Sequence, residues 1–384
     1  MRAEALKLSP ADPVTGLKVG LVATSLNCEH IRGMGKYLFE MTAQSQHNIN
    51  LSWIFMGNDP RFALHHPKNI AATTDIFELR GDRLNFWSQF GVPHRSIRHN
   101  IDILHCAENT LPLWQPRPTV VTIHDTIPWL DPTEPFYYQR VLPLALRRCA
   151  HVITISETSR IDILKLWPWL EPKVSVIPHG INAQYFDDRI QAPNVELTAS
   201  IAGAPYVVYM GGPMERKRFD WAVKVIAGDS SSPALKLVAC GFGAAARQAA
   251  TSSLDPSLVG RIIFSPFLAD SELLALYKGA RAVLYPTLYE GFGFPAVEAQ
   301  AAGVPVIFSP LGSLTELIGP LAKVVPATDL SAWRSALQAA CSLSDEARGL
   351  LTAKARVWAR QFDWSQSFER HLEVYRRASD RPRL

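Results

Sequence analysis

The sequence predicts an α/β protein made of two doubly wound domains that face each other across a cleft. Short apolar runs rich in β-branched residues recur along the chain, and longer stretches with helical periodicity lie between them. Near-continuous apolar strands that alternate with helices are typical of parallel sheets covered on both faces. The alternation occurs twice, on either side of a stretch at Gln191–Pro205 that has two prolines, a glycine and little periodicity. Because ligands of such domains bind beyond the carboxyl ends of the strands, two facing domains predict a site between them.

The chain of 384 residues is long enough for two such domains. We predict a first domain over residues 1–198, a second over 199–361, and a helix within 362–384, at about Ser365–Arg376, that returns to the first domain. The predicted strands are Leu17–Thr24, Asp102–Cys106, Thr119–Ile123, Val152–Ser156 and Val174–Ile177 in the first set, and Tyr206–Met210, Leu235–Cys240, Arg261–Phe264, Ala282–Tyr285 and Val304–Phe308 in the second. The predicted helices between them include Gly35–Ser45, Tyr137–Cys149, Ser271–Tyr277 and Pro295–Ala302.

The composition excludes several classes of protein. Hydrophobic residues make up 47% of the chain and charged residues 19%, as expected of a globular protein rather than a disordered one. The net charge of +4 comes without a dense Lys/Arg stripe, which argues against a nucleic-acid partner. The same charge fits either an ordinary solvated surface or contact with an anionic lipid surface.

The sequence predicts a cytoplasmic protein. It has no run of about eighteen apolar residues, so a membrane-spanning helix is not expected. The segment Met1–Leu17 mixes charges of both signs and lacks the apolar block of a secretory signal. The five cysteines are scattered without a CxxC pair, which argues against a zinc site or a disulfide framework.

The densest motif is the segment from Tyr289 to Glu298, Tyr-Glu-Gly-Phe-Gly-Phe-Pro-Ala-Val-Glu, between a predicted strand and a predicted helix. Its two glycines let the backbone approach a ligand, and the N–H groups at a helix N-terminus can receive a phosphate. A carboxylate such as that of Glu290 or Glu298 can accept two hydrogen bonds from a vicinal diol, as in ribose or a pyranose. The alternative is a strand–turn–helix junction that carries two solvated glutamates.

Several motifs together resemble the retaining glycosyltransferases of family 4, which have the GT-B fold of two facing Rossmann-like domains. Glu290 and Glu298 have the E-x7-E spacing of that family, and the resemblance extends over about Val19–Arg376. The further segments that resemble it are Arg32–Tyr37 (RGMGKY), His124–Pro128 (HDTIP), Val152–Arg160 (VITISETSR), Val176–Asn182 (VIPHGIN), Glu215–Lys217 (ERK) and Ala299–Phe308 (AQAAGVPVIF).

The resemblance implies a role for each matching residue. Lys217 and Arg216 would hold the diphosphate of a nucleotide-sugar donor, and Glu298 would bind its ribose. Glu290 and the amides of Phe292 and Gly293 would contact the donor sugar and phosphates, with Gly35 approaching from the opposite domain. The donor-binding set is therefore Gly35, Gly211, Gly212, Arg216, Lys217, Gly291, Phe292, Gly293, Phe294 and Glu298, and the catalytic set is Glu290, His124 and Lys217.

Some of these residues also allow a structural explanation. Arg216 and Lys217 could begin a solvated helix, although cations do not suit a helix N-terminus. His124 would contact the transferred sugar near the anomeric carbon, but a lone histidine could be purely structural. Asp125 could act as the base for the acceptor or cap a turn.

One position departs from the family pattern. Gly212 occupies the place, five residues before Lys217, where the family often has an arginine. The backbone N–H groups of Gly211 and Gly212 could replace the missing diphosphate contact.

Two other patterns have less specific interpretations. Gly241–Ala246 matches the dinucleotide pattern GxGxxA, but the next predicted strand ends without an acidic residue for an NAD ribose, so we interpret it as a tight turn. The aromatic and basic stretches Asn85–Arg98 and Leu166–Lys173 could pack within the domain, or could contact a membrane or a lipid-linked acceptor.

The resemblance implies transfer of a hexosyl or deoxyhexosyl unit from a nucleotide sugar to a saccharide or lipid-linked saccharide, with retention of configuration. The HDTIP segment and the helix after it look most like bacterial enzymes that add mannose or a deoxyhexose to surface polysaccharides, so GDP-mannose is the first candidate donor. The chain has no Asp-x-Asp motif, and neither a metal nor another cofactor is expected. The alternatives are a nucleotide-sugar epimerase of the same fold and a non-catalytic sugar-nucleotide-binding protein. The expected location is the cytoplasm, at the inner face of the membrane if the acceptor is lipid-linked.

Overall fold

The computed structural model describes residues 16–79, 86–130, 136–187, 194–228 and 235–380. The segment 1–15, Asn85, residues 191–193 of the polar break and residues 381–384, which entered the sequence predictions, lie outside these ranges.

The described strands form two parallel sheets, which confirms the predicted fold class. The first sheet has seven strands in the order β3-β2-β1-β4-β5-β6-β7, and the second has six in the order β10-β9-β8-β11-β12-β13. The first sheet comprises β1 Leu17–Val22, β2 Leu51–Gly57, β3 Ala72–Ile76, β4 Ile103–Cys106, β5 Thr119–Ile123, β6 His151–Thr154 and β7 Val174–Val176. The second comprises β8 Tyr206–Met210, β9 Lys236–Cys240, β10 Ile262–Phe264, β11 Val283–Tyr285, β12 Val306–Phe308 and β13 Ala322–Val324.

Three strands were absent from the prediction. Strand β2 is almost wholly buried, and its apolar run LSWIFMG was a signal that could have found it. Strand β3 lies at the sheet edge with Thr73 and Thr74 exposed, and β13 has only three residues. Edge and very short strands bury little apolar surface and therefore leave a weak sequence pattern.

Helices flank both sheets. In the first part of the chain they are α1 Gly33–Ala43, α2 Val92–Arg98, α3 Ile127–Leu130, α4 Leu142–Arg148 and α5 Glu157–Leu166. In the second part they are α6 Val195–Ile201, α7 Phe219–Ala227, α8 Ala244–Ser252, α9 Asp270–Gly279, α10 Phe294–Ala301, α11 Leu330–Cys341, α12 Asp345–Ala359 and α13 Trp364–Ser379. Among the described residues, no helix combines the length and the apolar character needed to cross a membrane.

Helix α6 crosses the predicted domain boundary between residues 198 and 199. Its buried Leu197 and Ile201 pack in one cluster with Val208 and Val238 of the second sheet. The whole helix therefore belongs to the second domain, and the boundary lies before Val195 rather than inside the helix.

Helix α13 lies against the first sheet although it comes last in the chain. Its Trp364, Phe368 and Leu372 share an apolar cluster with Val19 of β1 and Ile103 of β4. The first domain is therefore completed by residues from the far end of the chain, and α13 ties the two domains together.

Candidate functional site

The turn before α10 has a backbone that only glycine adopts easily. Gly293, the residue that precedes α10, has φ of +101°, and a Cβ there would lie 2.7 Å from Leu314 Cδ2. Gly291 faces the other domain, because a Cβ on it would lie 2.4 Å from the carbonyl oxygen of His124. Gly291 therefore lets the second domain meet the end of β5 in the first, and Gly293 lets the chain turn tightly into α10.

Glu290 forms the centre of an ionic cluster beside this turn. Lys217 Nζ donates to Glu290 Oε1, and Arg216 Nη1 lies 3.3 Å from the same oxygen. Arg216 Nη1 also donates to the carbonyl of Tyr289 at 2.7 Å, which fixes the guanidinium against the turn. The side chains of Lys217 and Glu290 are only 13% and 10% exposed, so neither is an ordinary solvated surface group.

The charge of Lys217 is held in a low-dielectric setting. Burial lowers the pKa of Lys217, and the Glu290 carboxylate acts in the opposite direction by favouring the charged ammonium. A second anion near Nζ would stabilise this ammonium further. The site is therefore suited to a ligand that carries negative charge, such as a diphosphate.

Asp125 brings a carboxyl group from the first domain to the same cluster. Its Oδ1 accepts from the N–H of Ile127 at 3.0 Å, as expected of a residue that caps a turn. Burial raises the pKa of Asp125, whereas Arg216 and Lys217 act to lower it and Glu290 to raise it. The structure thus brings Asp125, Glu290, Arg216 and Lys217 into electrostatic contact across the domain boundary.

The imidazole of His124 is buried next to the cluster and is neutral. Its Nε2–H donates to the carbonyl of Ala107 at 2.8 Å, which leaves Nδ1 as an acceptor, and its backbone N–H donates to Asn109 Oδ1 at 2.7 Å. Burial lowers the pKa of His124 to about 4. Contacts within the first domain thus fix His124 at the end of β5. Near pH 7 its imidazole carries no positive charge, and its Nδ1 can accept a hydrogen bond.

Glu298 has a different partner from Glu290. Lys36 Nζ of α1, in the first domain, lies 2.5 Å from Glu298 Oε1. The sequence motifs predict no role for Lys36, although it directly follows Gly35 in the glycine loop. Gly35 packs tightly, since a Cβ there would lie 2.5 Å from the carbonyl oxygen of Ser25, so it allows α1 to approach the loop after β1.

The structure corrects the predicted role of the Gly212 amide. Gly212 N–H donates to the carbonyl of Cys240 at 3.0 Å, so it is not free to bind a phosphate. Gly212 has φ of +64°, and a Cβ there would lie 2.5 Å from the carbonyl oxygen of Gly241. Gly211 lies beside the lysine, because a Cβ on it would lie 2.9 Å from Lys217 Cβ.

The side chains of Phe292 and Phe294 point into an aromatic cluster rather than toward Glu290. The His179 ring stacks on Phe294 with centroids 5.2 Å apart and packs edge-on against Phe292 at 5.1 Å. Trp364 of α13 adjoins the same rings. Any contact of Phe292 with a ligand would therefore come from its backbone, as the family resemblance implies.

The other motifs also have defined places. Gly241 has φ of +92° and joins β9 directly to α8, so this dinucleotide-like pattern forms the tight turn expected of it. Within the described part of the chain, no group of three or more His, Cys, Asp and Glu side chains is arranged to hold a metal ion.

Two Rossmann-like domains face each other, and a cluster of acidic and basic side chains lies where a strand end of one domain meets a glycine turn of the other. This arrangement is that of the GT-B glycosyltransferases. The sequence model of the group 1 glycosyl transferases matches residues 198–355, and that of glycosyltransferase family 4 matches residues 31–185. The chain belongs to glycosyltransferase family 4, as its motifs predicted.

Individual relatives agree with this assignment. The chain is 28% identical to the O-antigen chain mannosyltransferase RfbU of Salmonella typhimurium over 62% of this chain and 65% of that protein, slightly less than two thirds of the relative's length. It is 25% identical to the O-antigen chain mannosyltransferase B of Escherichia coli over 82% of this chain and 79% of that protein. The sucrose-phosphate synthase of Thermosynechococcus elongatus shares the fold, with a TM-score of 0.70 and 20% identity over 94% of this chain and 98% of that one.

Proposed function

We propose that the protein is a retaining glycosyltransferase that moves a hexosyl or deoxyhexosyl unit from a nucleotide sugar to a hydroxyl of a saccharide or lipid-linked saccharide. The first candidate donor is GDP-mannose, and the setting is the synthesis of a bacterial surface polysaccharide. One observation carries the proposal: the cluster of Glu290, Arg216 and Lys217 meets Asp125 and the His124 backbone across the cleft. The mannosyltransferase relatives support the choice of donor sugar.

The proposed reaction is a same-face substitution. The acceptor oxygen forms a bond to the anomeric carbon as the bond from that carbon to the diphosphate oxygen breaks, and the electron pair stays on the diphosphate. Lys217 and Arg216 stabilise this growing charge in a site shielded from water. The acceptor proton passes to the leaving phosphate oxygen, so no carboxylate has to act as a covalent nucleophile.

Glu290 and His124 would orient the sugar in this reaction. A diphosphate that binds Lys217 gives the lysine a second anionic partner, so that Glu290 can accept hydrogen bonds from sugar hydroxyls. His124 lies at the strand end where the anomeric carbon would be placed. Asp125 is the candidate for a contact with the acceptor. It is also the alternative to the leaving phosphate as the base, since burial raises its pKa and so increases its basicity.

We also propose that transfer requires no metal ion or other cofactor, because the cationic side chains at Glu290 can provide the charge stabilisation. A chelator such as EDTA is then expected to leave the transfer rate unchanged. A loss of transfer that added Mg²⁺ or Mn²⁺ restores would contradict this part of the proposal.

The N-terminal domain offers a surface for peripheral contact with an anionic membrane, which would suit a lipid-linked acceptor. Its exposed apolar side chains include Phe90, Leu113, Trp114, Leu144 and Trp169. Arg148 Nη1 donates to the Leu113 carbonyl, and Arg147 lies over the Trp169 ring, so cations and apolar groups are interleaved. Gln89 Oε1 also accepts from the Leu113 N–H. Apolar groups can enter the bilayer interface while nearby cations meet anionic headgroups.

This surface can be tested with vesicles of phosphatidylglycerol and phosphatidylcholine. The wild-type protein is expected to sediment with the anionic vesicles, and Trp114→Glu to sediment less. Ile318→Glu, a change at an exposed apolar residue of the other domain, serves as the control. Equal sedimentation of wild type and Trp114→Glu would contradict the assignment.

The class of donor can be tested by a thermal-shift screen across UDP-, GDP-, dTDP- and ADP-sugars. A ligand that binds only the folded state raises the Tm by mass action, and GDP-mannose is expected to give the largest rise. The bound donor is then incubated alone and with acceptors. Formation of an epimer from donor alone would favour an epimerase, and binding without transfer would favour a non-catalytic protein.

A further inference from the structure

An ion pair joins the two domains at the carboxylate expected to bind the ribose. Lys36 belongs to α1 of the first domain and Glu298 to α10 of the second, and their Nζ and Oε1 atoms are 2.5 Å apart. The Lys36 side chain is 15% exposed and that of Glu298 only 4%. Pairs of this kind differ from surface salt bridges, because removal of one partner leaves a buried charge without compensation.

Aromatic rings hold the lysine in place. Lys36 Nζ lies 5.3 Å from the centroid of the Tyr185 ring and 5.5 Å from that of Phe294. Both distances fall within the range of cation–π attraction. The ammonium is therefore fixed between two rings and a carboxylate, and its position depends on the first domain being docked on the second.

Carboxylates surround the Lys36 ammonium. Burial disfavours the charged form of Lys36, but the carboxylates of Glu298, Asp270 and Glu40 outweigh it and the pKa of Lys36 is raised. Burial and the charge of Glu298 both raise the pKa of Tyr185 and of Tyr277. Removal of Lys36 would therefore leave the buried Glu298 carboxylate without its positive partner.

We propose that Lys36 is a positioning residue for the donor nucleotide. Its pairing across the cleft holds the Glu298 carboxylate in one orientation, so that the ribose is bound tightly only while the first domain is docked. This inference rests on the proposed function, which assigns the ribose to Glu298. A nucleoside diphosphate with free ribose hydroxyls is the ligand that reports on it.

The test compares Lys36→Met and Lys36→Arg with the wild-type protein. Lys224→Met is the matched control, since Lys224 forms an exposed pair with Asp220 in α7. Isothermal titration with GDP and UDP gives the Kd, and transfer assays give KM and kcat. We expect Lys36→Met to raise the nucleotide Kd and the donor KM about ten-fold or more, with a smaller change in kcat. Lys36→Arg is expected to recover most of the affinity, and Lys224→Met to match wild type.

The split between binding and turnover separates this role from a merely structural one. A positioning residue changes the nucleotide Kd and the donor KM more than kcat, and Lys36→Arg restores both because it keeps a positive charge beside Glu298. A Lys36→Met Kd within two-fold of the wild-type value, or a loss of affinity that Lys36→Arg does not restore, would overturn the inference.

Two further measurements cover the remaining outcomes. If Lys36→Met does not fold, Lys36→Gln takes its place and is expected to show the same loss of affinity relative to Lys36→Arg; nucleotide binding by Lys36→Gln equal to that of wild type would overturn the inference. If wild type binds no nucleotide or nucleotide sugar, the proposed function itself fails. If wild type binds normally and the Lys36 variants do too, only the role of Lys36 fails.

Discussion

The turn Gly211–Gly212 disfavours any side chain at position 212. The left-handed backbone at Gly212 and the carbonyl of Gly241 leave no room for a side chain. Arg216 and Lys217 supply positive charge from the following turn instead. Gly212 therefore departs from the family pattern in its backbone conformation as well as in its lack of a side chain.

Gly212→Ala is accordingly expected to lower the free energy of unfolding by about 1–3 kcal/mol, because it combines a positive φ with a close contact. Gly243→Ala is the control, since Gly243 has an ordinary φ and nothing lies near its Cβ position. Urea unfolding of both variants measures the difference. Equal stability of the two would show that the Gly212 backbone is not strained by a side chain, and Gly212→Arg would then be expected to fold and bind donor.

The sequence could predict Glu290, Lys217 and Asp125 as candidate site residues because each belongs to a local motif. It could not identify the partner of Glu298, since Lys36 lies 262 positions away and meets it only when the two domains dock. Nor could it show that Gly212 donates its N–H to Cys240, which depends on the pairing of β8 with β9.

At the scale of elements, a chain of hydrogen bonds fastens α13 to the first sheet. His371 Nδ1–H donates to the Ser367 carbonyl and its Nε2 accepts from Tyr37 OH at 2.7 Å. Tyr375 OH and His105 Nδ1 are also 2.7 Å apart. All these groups are buried, so each bond that is lost would leave a polar atom without water.

Tyr375→Phe is therefore expected to lower the free energy of unfolding by about 1–2 kcal/mol. Tyr277→Phe is the matched control, because the buried Tyr277 hydroxyl has no hydrogen-bond partner among the described residues. Chemical unfolding followed by tryptophan fluorescence provides the comparison. A Tyr375→Phe protein as stable as Tyr277→Phe would show that the α13 network contributes no stability.

Most elements followed from local patterns, and strands β5 and β8 have the predicted bounds. The helix predicted from Tyr137 to Cys149 instead has a π-helical segment, Tyr137–Val141, before α4. Pro143 has no N–H to continue the hydrogen-bond ladder of the preceding turn, which accounts for the interruption. Strand order and the packing of α13 depend on contacts between distant residues, so periodicity could not supply them.

At the scale of the whole molecule, polar contacts hold the domains together on both sides of the cleft. Glu316 of the second domain accepts from the N–H groups of Glu157 and Thr158, at the N-terminus of α5 in the first. Tyr289 OH donates to Asp162 Oδ2 of the same helix at 2.9 Å. A carboxylate at a helix N-terminus is stabilised by unpaired N–H groups and the helix dipole, so this contact favours the docked arrangement.

Buried neutral histidines make the docked molecule sensitive to acid. Burial lowers the pKa values of His124 and His371 to about 4, from 6.5 for an exposed histidine. Between these values the unfolded chain binds protons that the folded chain does not, so unfolding is favoured progressively as the pH falls from 6.5 to 4. Each residue contributes up to about 3 kcal/mol to this loss.

The free energy of unfolding, measured by urea titration between pH 7 and 4.5, is expected to fall with pH in the wild-type protein. His371→Gln is expected to be less stable at pH 7 but to lose less stability on acidification, because one buried histidine no longer titrates. Parallel curves for the two proteins would contradict the assignment of this pH dependence to His371.

The central claim is that the cluster at the interdomain cleft binds and activates a nucleotide-sugar donor. The measurement that tests it most directly is the rate of sugar transfer by Glu290→Ala and Lys217→Ala, with circular dichroism to verify the fold and Lys224→Ala as a control away from the cleft. Loss of the Lys217 charge that stabilises the transition state, or of the Glu290 contact that orients the sugar, is expected to lower kcat by about 100-fold or more, with no drop in the control. Near-normal transfer by folded Glu290→Ala and Lys217→Ala proteins would contradict the account.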